Sequence, residues 1–176
     1  MLNITDVILS IIYIFPAYVA NGTPVVVYRL LNGKTTPIDR GIIAWDGQRL
    51  LGDGKSIEGF VSGTIIGSVT GFVISFLMPY LYKNPIEYLL LSIGAMTGDL
   101  IGSFIKRRLK MERGAPFPLI DQTGFITIAL LLVWMMVGLP NWIDLELIFI
   151  ILIITFILHI ATNILAYIVG IKNKPW

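Results

Sequence analysis

The sequence predicts an all-α integral membrane protein with five transmembrane helices. Three observations predict it: 56% of the 176 residues are hydrophobic and only 14% are charged, the apolar residues gather into five runs, and the basic residues fall between alternate runs. A mean hydropathy of +0.82 lies outside the range of an ordinary soluble domain. A helix crossing a hydrocarbon core needs about 20 residues, and the runs at roughly 5–31, 57–82, 86–108, 122–139 and 144–171 meet that length. They leave no material for a soluble unit, so residues 1–176 read as one polytopic membrane domain. The absence of cysteine excludes disulfides, thiolate metal sites and thiol nucleophiles.

The first run has no Lys or Arg before it and is too long for a signal-peptide core, so it reads as a retained span. Within it, Asn21-Gly22-Thr23-Pro24 predicts a break or kink, because proline removes a backbone donor. The second run repeats glycine at Gly59, Gly63, Gly67 and Gly71, and the third at Gly94, Gly98 and Gly102. A spacing of four puts each set on one helical face, and small faces let backbones approach closely in lipid. Tight packing of the second helix on the third is the expectation. The fifth run carries His159 on one face with Thr155, Thr162 and Asn163. One histidine cannot build a histidine metal cluster, and interhelical hydrogen bonding is the role expected of it.

Five spans place the termini on opposite sides. Twelve of the thirteen cations fall in the 32–56 segment with its flank, in the 106–121 segment, or in the tail with Lys172 and Lys174; Lys83 alone lies opposite. The positive-inside rule then puts both long loops and the C-terminus in the cytoplasm, with the N-terminus outside.

Chemistry concentrates on that side. Asp99 interrupts the third apolar run, and Ser103, Lys106, Arg107 and Lys110 follow along one helical face. A carboxylate inside a span costs about 2.5–3.5 kcal/mol even on the lenient insertion scale, so it demands a cation or metal partner. The loops add Asp39, Asp46, Asp53, Glu58, Glu112 and Asp121, interleaved with basic residues. Carboxylates of this kind suit Mg²⁺, which takes one or two of them and completes its shell with water and phosphate oxygens. Neighbouring cations would neutralise the same phosphates. Gly52-Asp53-Gly54-Lys55-Ser56 has the ending of a phosphate-binding loop, yet Arg49 stands where the full pattern needs glycine, and no strand precedes it.

The run Gly98-Asp99-Leu100-Ile101-Gly102-Ser103-Phe104-Ile105-Lys106-Arg107-Arg108, followed by Arg113-Gly114 and Pro118-Leu119-Ile120-Asp121-Gln122, resembles the CDP-archaeol synthases. Ala20-Asn21-Gly22-Thr23-Pro24, Pro37-Ile38-Asp39 and Gly52-Asp53-Gly54-Lys55-Ser56 fall in the same order, so the likeness spans nearly the whole chain. It implies a membrane enzyme, related to the CDP-diacylglycerol synthases, that uses Mg²⁺ and CTP to cytidylylate digeranylgeranylglyceryl phosphate and releases pyrophosphate. Two positions depart from the wider pattern. Glu112-Arg113-Gly114 stands where the diacylglycerol enzymes have Lys-Asp, and Gly124 replaces a second acid.

Carried onto this chain, the resemblance implies Asp99, Lys106 and Asp121 as catalytic residues and Asp53, Asp99 and Asp121 as the metal candidates. Asn21, Lys34, Asp39, Lys55, Ser103 and Arg107 are implied for nucleotide and phosphate binding. The expected partners are CTP, an isoprenoid glycerol phosphate and membrane lipids, without nucleic acid; a homodimer is left open. A small transporter or channel with an intramembrane Asp99 is the alternative reading.

Overall fold

The computed structural model describes residues 3–112 and 115–170. Five helices follow in chain order: α1 Ile4–Leu30, α2 Ile57–Leu77, α3 Ile86–Arg108, α4 Ile120–Val137 and α5 Leu145–Ile168. All five are long and apolar enough to cross a membrane. Among the described residues there is no strand, only isolated antiparallel bridges between Pro37 and Ser56 and between Ile43 and Arg49. Arg113, Lys172 and Lys174, used above for topology, lie outside the described residues, as do Gly114 and the predicted end of the fifth helix at 171.

The helix starts are capped by sequence-local chemistry. Ser56 Oγ accepts from Gly59 N at 3.1 Å, and Asp144 Oδ1 accepts from Leu147 N at 2.8 Å. Ahead of α3, Asn84 Oδ1 accepts from Ile86 N while Glu87 Oε1 accepts from Asn84 N, both at 3.0 Å, a reciprocal box. The other oxygen of Glu87, which is fully buried, accepts from Tyr13 Oη at 2.9 Å and ties α3 to α1. The second helix stops at Leu77, five residues before the predicted end, because Met78 precedes Pro79 and the residue before a proline is pushed out of the helical region.

Of the break or kink expected in the first span, no break occurs. The helix runs through Pro16 and Pro24 without interruption. Pro24 deprives the Ala20 carbonyl of its usual partner, and Thr23 Oγ1 donates to the neighbouring Val19 O at 2.7 Å. Gly63 of α2 comes up to that same region: a Cβ there would lie 2.7 Å from Ala20 O.

The two glycine faces form as predicted but do not meet each other. The buried residues of α2 are its four glycines and nothing else. That face lies against α1 at Pro16, Ala20 and Pro24 and against the α3 side chains Tyr88, Ser92 and Met96. The glycines of α3 turn instead toward α4, where a Cβ on Gly94 would lie 2.5 Å from Ala129 Cα and one on Gly98 would lie 2.8 Å from Gly124 O. One side of α3 therefore accepts the glycine face of α2 with side chains, and another side presents backbone to α4. The core between them holds Tyr13, Ile14 and Ala17, with Leu91, Ala95, Ile126, Ala129 and Val133. The fifth helix is held more lightly, by Leu147 and Ile151 in the core and a 2.6 Å hydrogen bond between Tyr18 Oη and Thr155 Oγ1.

These contacts predict different outcomes for two small changes. Gly94→Ala meets only backbone and should cost about 1–3 kcal/mol of bundle stability. Gly22→Ala, with nothing within 4 Å of the new Cβ, should leave stability unchanged. Thermal unfolding in detergent measures both, and equal midpoints for the two variants would contradict the packing described.

Candidate active site

Two ion pairs mark the end of the bundle where the α1–α2 and α3–α4 connections gather. Lys55 Nζ lies 2.6 Å from Asp99 Oδ2, joining the first connection to the middle of α3. Lys106 Nζ lies 2.7 Å from Asp121 Oδ1, joining the end of α3 to the first turn of α4. Asp121 is further fixed by Phe117 N, which donates to its Oδ2 at 2.9 Å, and a carboxylate in a first turn is favoured by the helix dipole. All four groups are partly dehydrated, and partial dehydration is why each needs an opposite charge.

Both pairs line one cleft of about 510 Å³, walled by α1, α3, α4 and α5. Of the residues predicted from sequence, Asn21, Lys55, Asp99, Ser103, Lys106 and Asp121 line it. Lys34, Asp39, Asp53 and Arg107 do not. An apolar groove of about 660 Å³ between α4 and α5 lies at the other end, and its polar residues are already used: Asp144 caps α5 and Asn141 accepts from Lys83. The polar cleft is where chemistry can occur.

Asp39 lies outside the cleft lining, bonded within its own connection. Its fully buried carboxylate receives Arg49 through Nη2 at 2.6 Å and Nε at 3.2 Å, Leu51 N and Gly52 N at 2.9 Å each, and Gly41 N at 3.2 Å. Gly52 turns its N–H inward at φ 95°, a conformation that disfavours any side chain. Burial pushes the Asp39 carboxyl up, but the Arg49 guanidinium and the three backbone donors outweigh it and hold the group well below the usual carboxylate range. Asp39 is the knot of the α1–α2 connection. Asp53 is exposed (57%) and its Oδ1 pairs with Arg49 Nη1 at 2.8 Å.

The knotted connection is fastened over α3 by two side chains. Ser103 Oγ donates to Leu51 O at 2.9 Å, and the residue also lines the cleft. Arg108 donates to Asp46 Oδ1 at 2.9 Å and to Arg49 O at 2.7 Å, with its guanidinium between the Trp45 and Phe104 rings at 5.1 and 5.0 Å from their centroids. Arg107 Nη2 donates to Glu112 O at 3.1 Å and keeps to the α3–α4 connection.

Sequence reasoning missed part of the lining. Gln122, Phe125, His159 and Asn163 form a neutral wall of the cleft, with Asn163 Nδ2 and His159 Nδ1 3.1 Å apart and His159 packed on Phe125. The sequence signals for it are the polar face of the fifth span and the place of Gln122 beside Asp121; on that same face Thr155 makes an interhelical bond to Tyr18. At the cleft mouth Arg29 Nη2 donates to Gly170 O and brings the end of α5 against α1.

Among the described residues no three Asp, Glu or His side chains cluster as a metal site. Asp99 and Asp121 nevertheless line one cleft, and two carboxylates are what a hydrated Mg²⁺ shared with phosphate oxygens asks for. The donor set fits such an ion and does not fit a closed all-protein cage.

The CarS-like CDP-archaeol synthase family model matches residues 1–176. The chain belongs to the CDP-archaeol synthase family. It is 44% identical over 168 residues to the CDP-archaeol synthase of Pyrococcus horikoshii, covering 93% of this chain and 94% of the relative. It is 44% identical over 173 residues to that of Methanothermobacter thermautotrophicus, covering 98% and 96%. A solved structure described as an intramembrane enzyme for archaeal membrane lipids biosynthesis superposes with a TM-score of 0.76 at 36% identity, over 88% of this chain and 92% of that one. Membership in a family of synthases, with an intramembrane enzyme as structural neighbour, does not favour the transporter or channel alternative.

The Asp39 knot has a pH signature. A carboxyl held below its unfolded value of about 3.9 contributes stability that is fully present above that pH and is lost as pH falls toward the folded value. Cleavage of the 41–52 segment by an acid-active protease should therefore stay low down to about pH 4 and rise below it. In Asp39→Asn cleavage should be high throughout and nearly flat with pH.

Proposed function

We propose that this chain transfers CMP from CTP to an isoprenoid glycerol phosphate at the cytoplasmic membrane surface, using Mg²⁺ and releasing pyrophosphate. As a member of the CDP-archaeol synthase family it is a CTP-dependent cytidylyltransferase of lipid biosynthesis. The observation that carries the placement of this reaction is the pairing of Lys55 with Asp99 and of Lys106 with Asp121 around one cleft. Two cations and two carboxylates, already partly dehydrated, match the charge of a metal-bound triphosphate, with lysines for phosphate oxygens and carboxylates for the ion.

Mg²⁺ held by Asp99 and Asp121 would supply neutralisation of the triphosphate charge. The residues of the chain do the rest by position. Lys55 and Lys106 exchange their carboxylate partners for phosphate oxygens and steady the leaving pyrophosphate. The acceptor needs no strong base, because a phosphate monoester has its second pKa near ~6 and is largely dianionic at neutral pH. One of its oxygens attacks the α-phosphorus of CTP in line. The bond from that phosphorus to the bridging oxygen breaks, and pyrophosphate carries away the electron pair. Orientation within the cleft and charge neutralisation supply the rate. Ser103 and Asp39 act at one remove, by holding Lys55 and its loop in place.

The cytoplasmic assignment rests on Arg29, Lys34, Arg40, Arg49, Lys55, Lys106, Arg107, Arg108 and Lys110 gathering at the cleft end of the bundle, while Lys83 sits at the other. Hydrocarbon tails of the acceptor stay in the bilayer beside the helices while its phosphate enters the cleft.

Purified protein given Mg²⁺, labelled CTP and a series of lipid phosphates should release pyrophosphate and form CDP-lipid with the isoprenoid ether acceptor preferred. Nucleotide-independent flux through reconstituted vesicles without any CMP transfer would overturn the reading. Asp99→Asn should lower transfer by at least about a hundredfold with normal membrane insertion. Lys106→Ala should weaken CTP binding by about tenfold or more, measured by equilibrium binding.

A further inference from the structure

The cleft is divided by chemistry. Its charged residues are Arg29 at the mouth and Lys55, Asp99, Lys106 and Asp121 within, whereas Asn21, Gln122, Phe125, His159 and Asn163 carry no formal charge when His159 is neutral. Gln122 stands out among these. It is 8% exposed, and its Oε1 is buried without a hydrogen-bond donor among the described residues. A buried carbonyl oxygen left without a partner costs on the order of 1–3 kcal/mol, so its retention at the wall of a binding cleft points to a donor that arrives with a ligand.

The two substrates of the proposed reaction differ in what they can donate. A dianionic lipid phosphate with ether-linked chains offers acceptors only. CTP offers N–H donors from the exocyclic amine of cytosine and O–H donors from its ribose. The amine is the group that distinguishes cytosine from uracil, whose oxygen at the same position would face Oε1 as a second acceptor. The flat Phe125 ring in the same wall suits a base.

We propose that Gln122 is a specificity-determining residue: its Oε1 accepts a hydrogen bond from the exocyclic amine of cytosine in the uncharged part of the cleft, while the triphosphate occupies the charged part. This rests on the cytidylyltransferase reading above. A site built around a hydrogen bond to the substrate rejects an analogue lacking that group far more strongly than an apolar pocket rejects a missing methylene.

The test compares CTP, UTP, dCTP and a pyrimidin-2-one ribonucleoside triphosphate, which lacks the amine, as ligands and as donors with wild type, Gln122→Met and Gln122→Glu. Wild type should bind CTP at least about tenfold more tightly than UTP and the pyrimidin-2-one analogue, with dCTP close to CTP. Gln122→Met, similar in size but without the acceptor, should lose most of that preference. Gln122→Glu, which keeps an acceptor, should retain it. Should the variants not fold, equal binding of CTP and the pyrimidin-2-one analogue by wild type alone overturns the proposal. An unchanged preference in Gln122→Met, or a shift confined to dCTP, overturns it as well, the latter by assigning Oε1 to a ribose hydroxyl. If wild type neither binds CTP nor transfers CMP, the failure belongs to the functional reading and not to Gln122.

Discussion

In hydrocarbon, helices gain little from pressing apolar side chains together, because the lipid they displace is equally apolar. Close approach of backbones, with its dense dispersion contacts, is the attraction that remains, and this bundle is organised around it. The glycine face of α2 settles on α1 and α3, and the glycine face of α3 settles on the backbone of α4. Four helices thus become one rigid unit. The fifth, held by a few side chains and one hydroxyl pair, completes a wall without filling the space beside it. The cleft is that remaining space, and Asp99 and Lys106 project into it from the helix whose placement is most constrained.

Charge then decides how the rigid unit is finished. A lone Asp99 would be costly at its depth, and Lys55 relieves that cost from a connection outside the helices. For the lysine to arrive, residues 31–56 must be ordered. The buried Asp39 carboxylate orders them, through five hydrogen bonds to four residues of the same connection. Ser103 and Arg108 fasten the result to α3. In the proposed function the lysine that pairs with Asp99 is also the group that meets the triphosphate, so a ligand exchanges one counter-charge for another and need not create a charged site afresh.

Much of this was legible in the chain. The five spans follow from the length of the apolar runs, and Asp99 with Lys106 from a carboxylate and a cation on one face of a span. What eluded the sequence was long-range. Asp39 reads as one loop acid among several until Arg49, Leu51 and Gly52 fold around it. Which helix a glycine face meets depends on side chains of a third helix, such as Tyr88 and Met96, and no periodicity encodes that. Gln122 reads in its motif as one more polar residue beside Asp121, because an orphaned acceptor exists only once the helices have packed around it.

The contact of Gly94 with Ala129 has a genetic meaning. The three atoms nearest to a Cβ at position 94 all belong to the main chain of α4, at Ile128 and Ala129. Trimming a neighbouring side chain therefore cannot make room, and a lesion there should lack simple second-site suppressors. Gly71 differs, since its nearest obstacles are the Cβ and Cγ of Tyr88, which the single change Tyr88→Gly removes altogether while any lesser trimming leaves the Cβ in place. Two glycines that look alike in the repeat are thus unequal in reversibility: one can be rescued by its neighbour, and the other only by reversion.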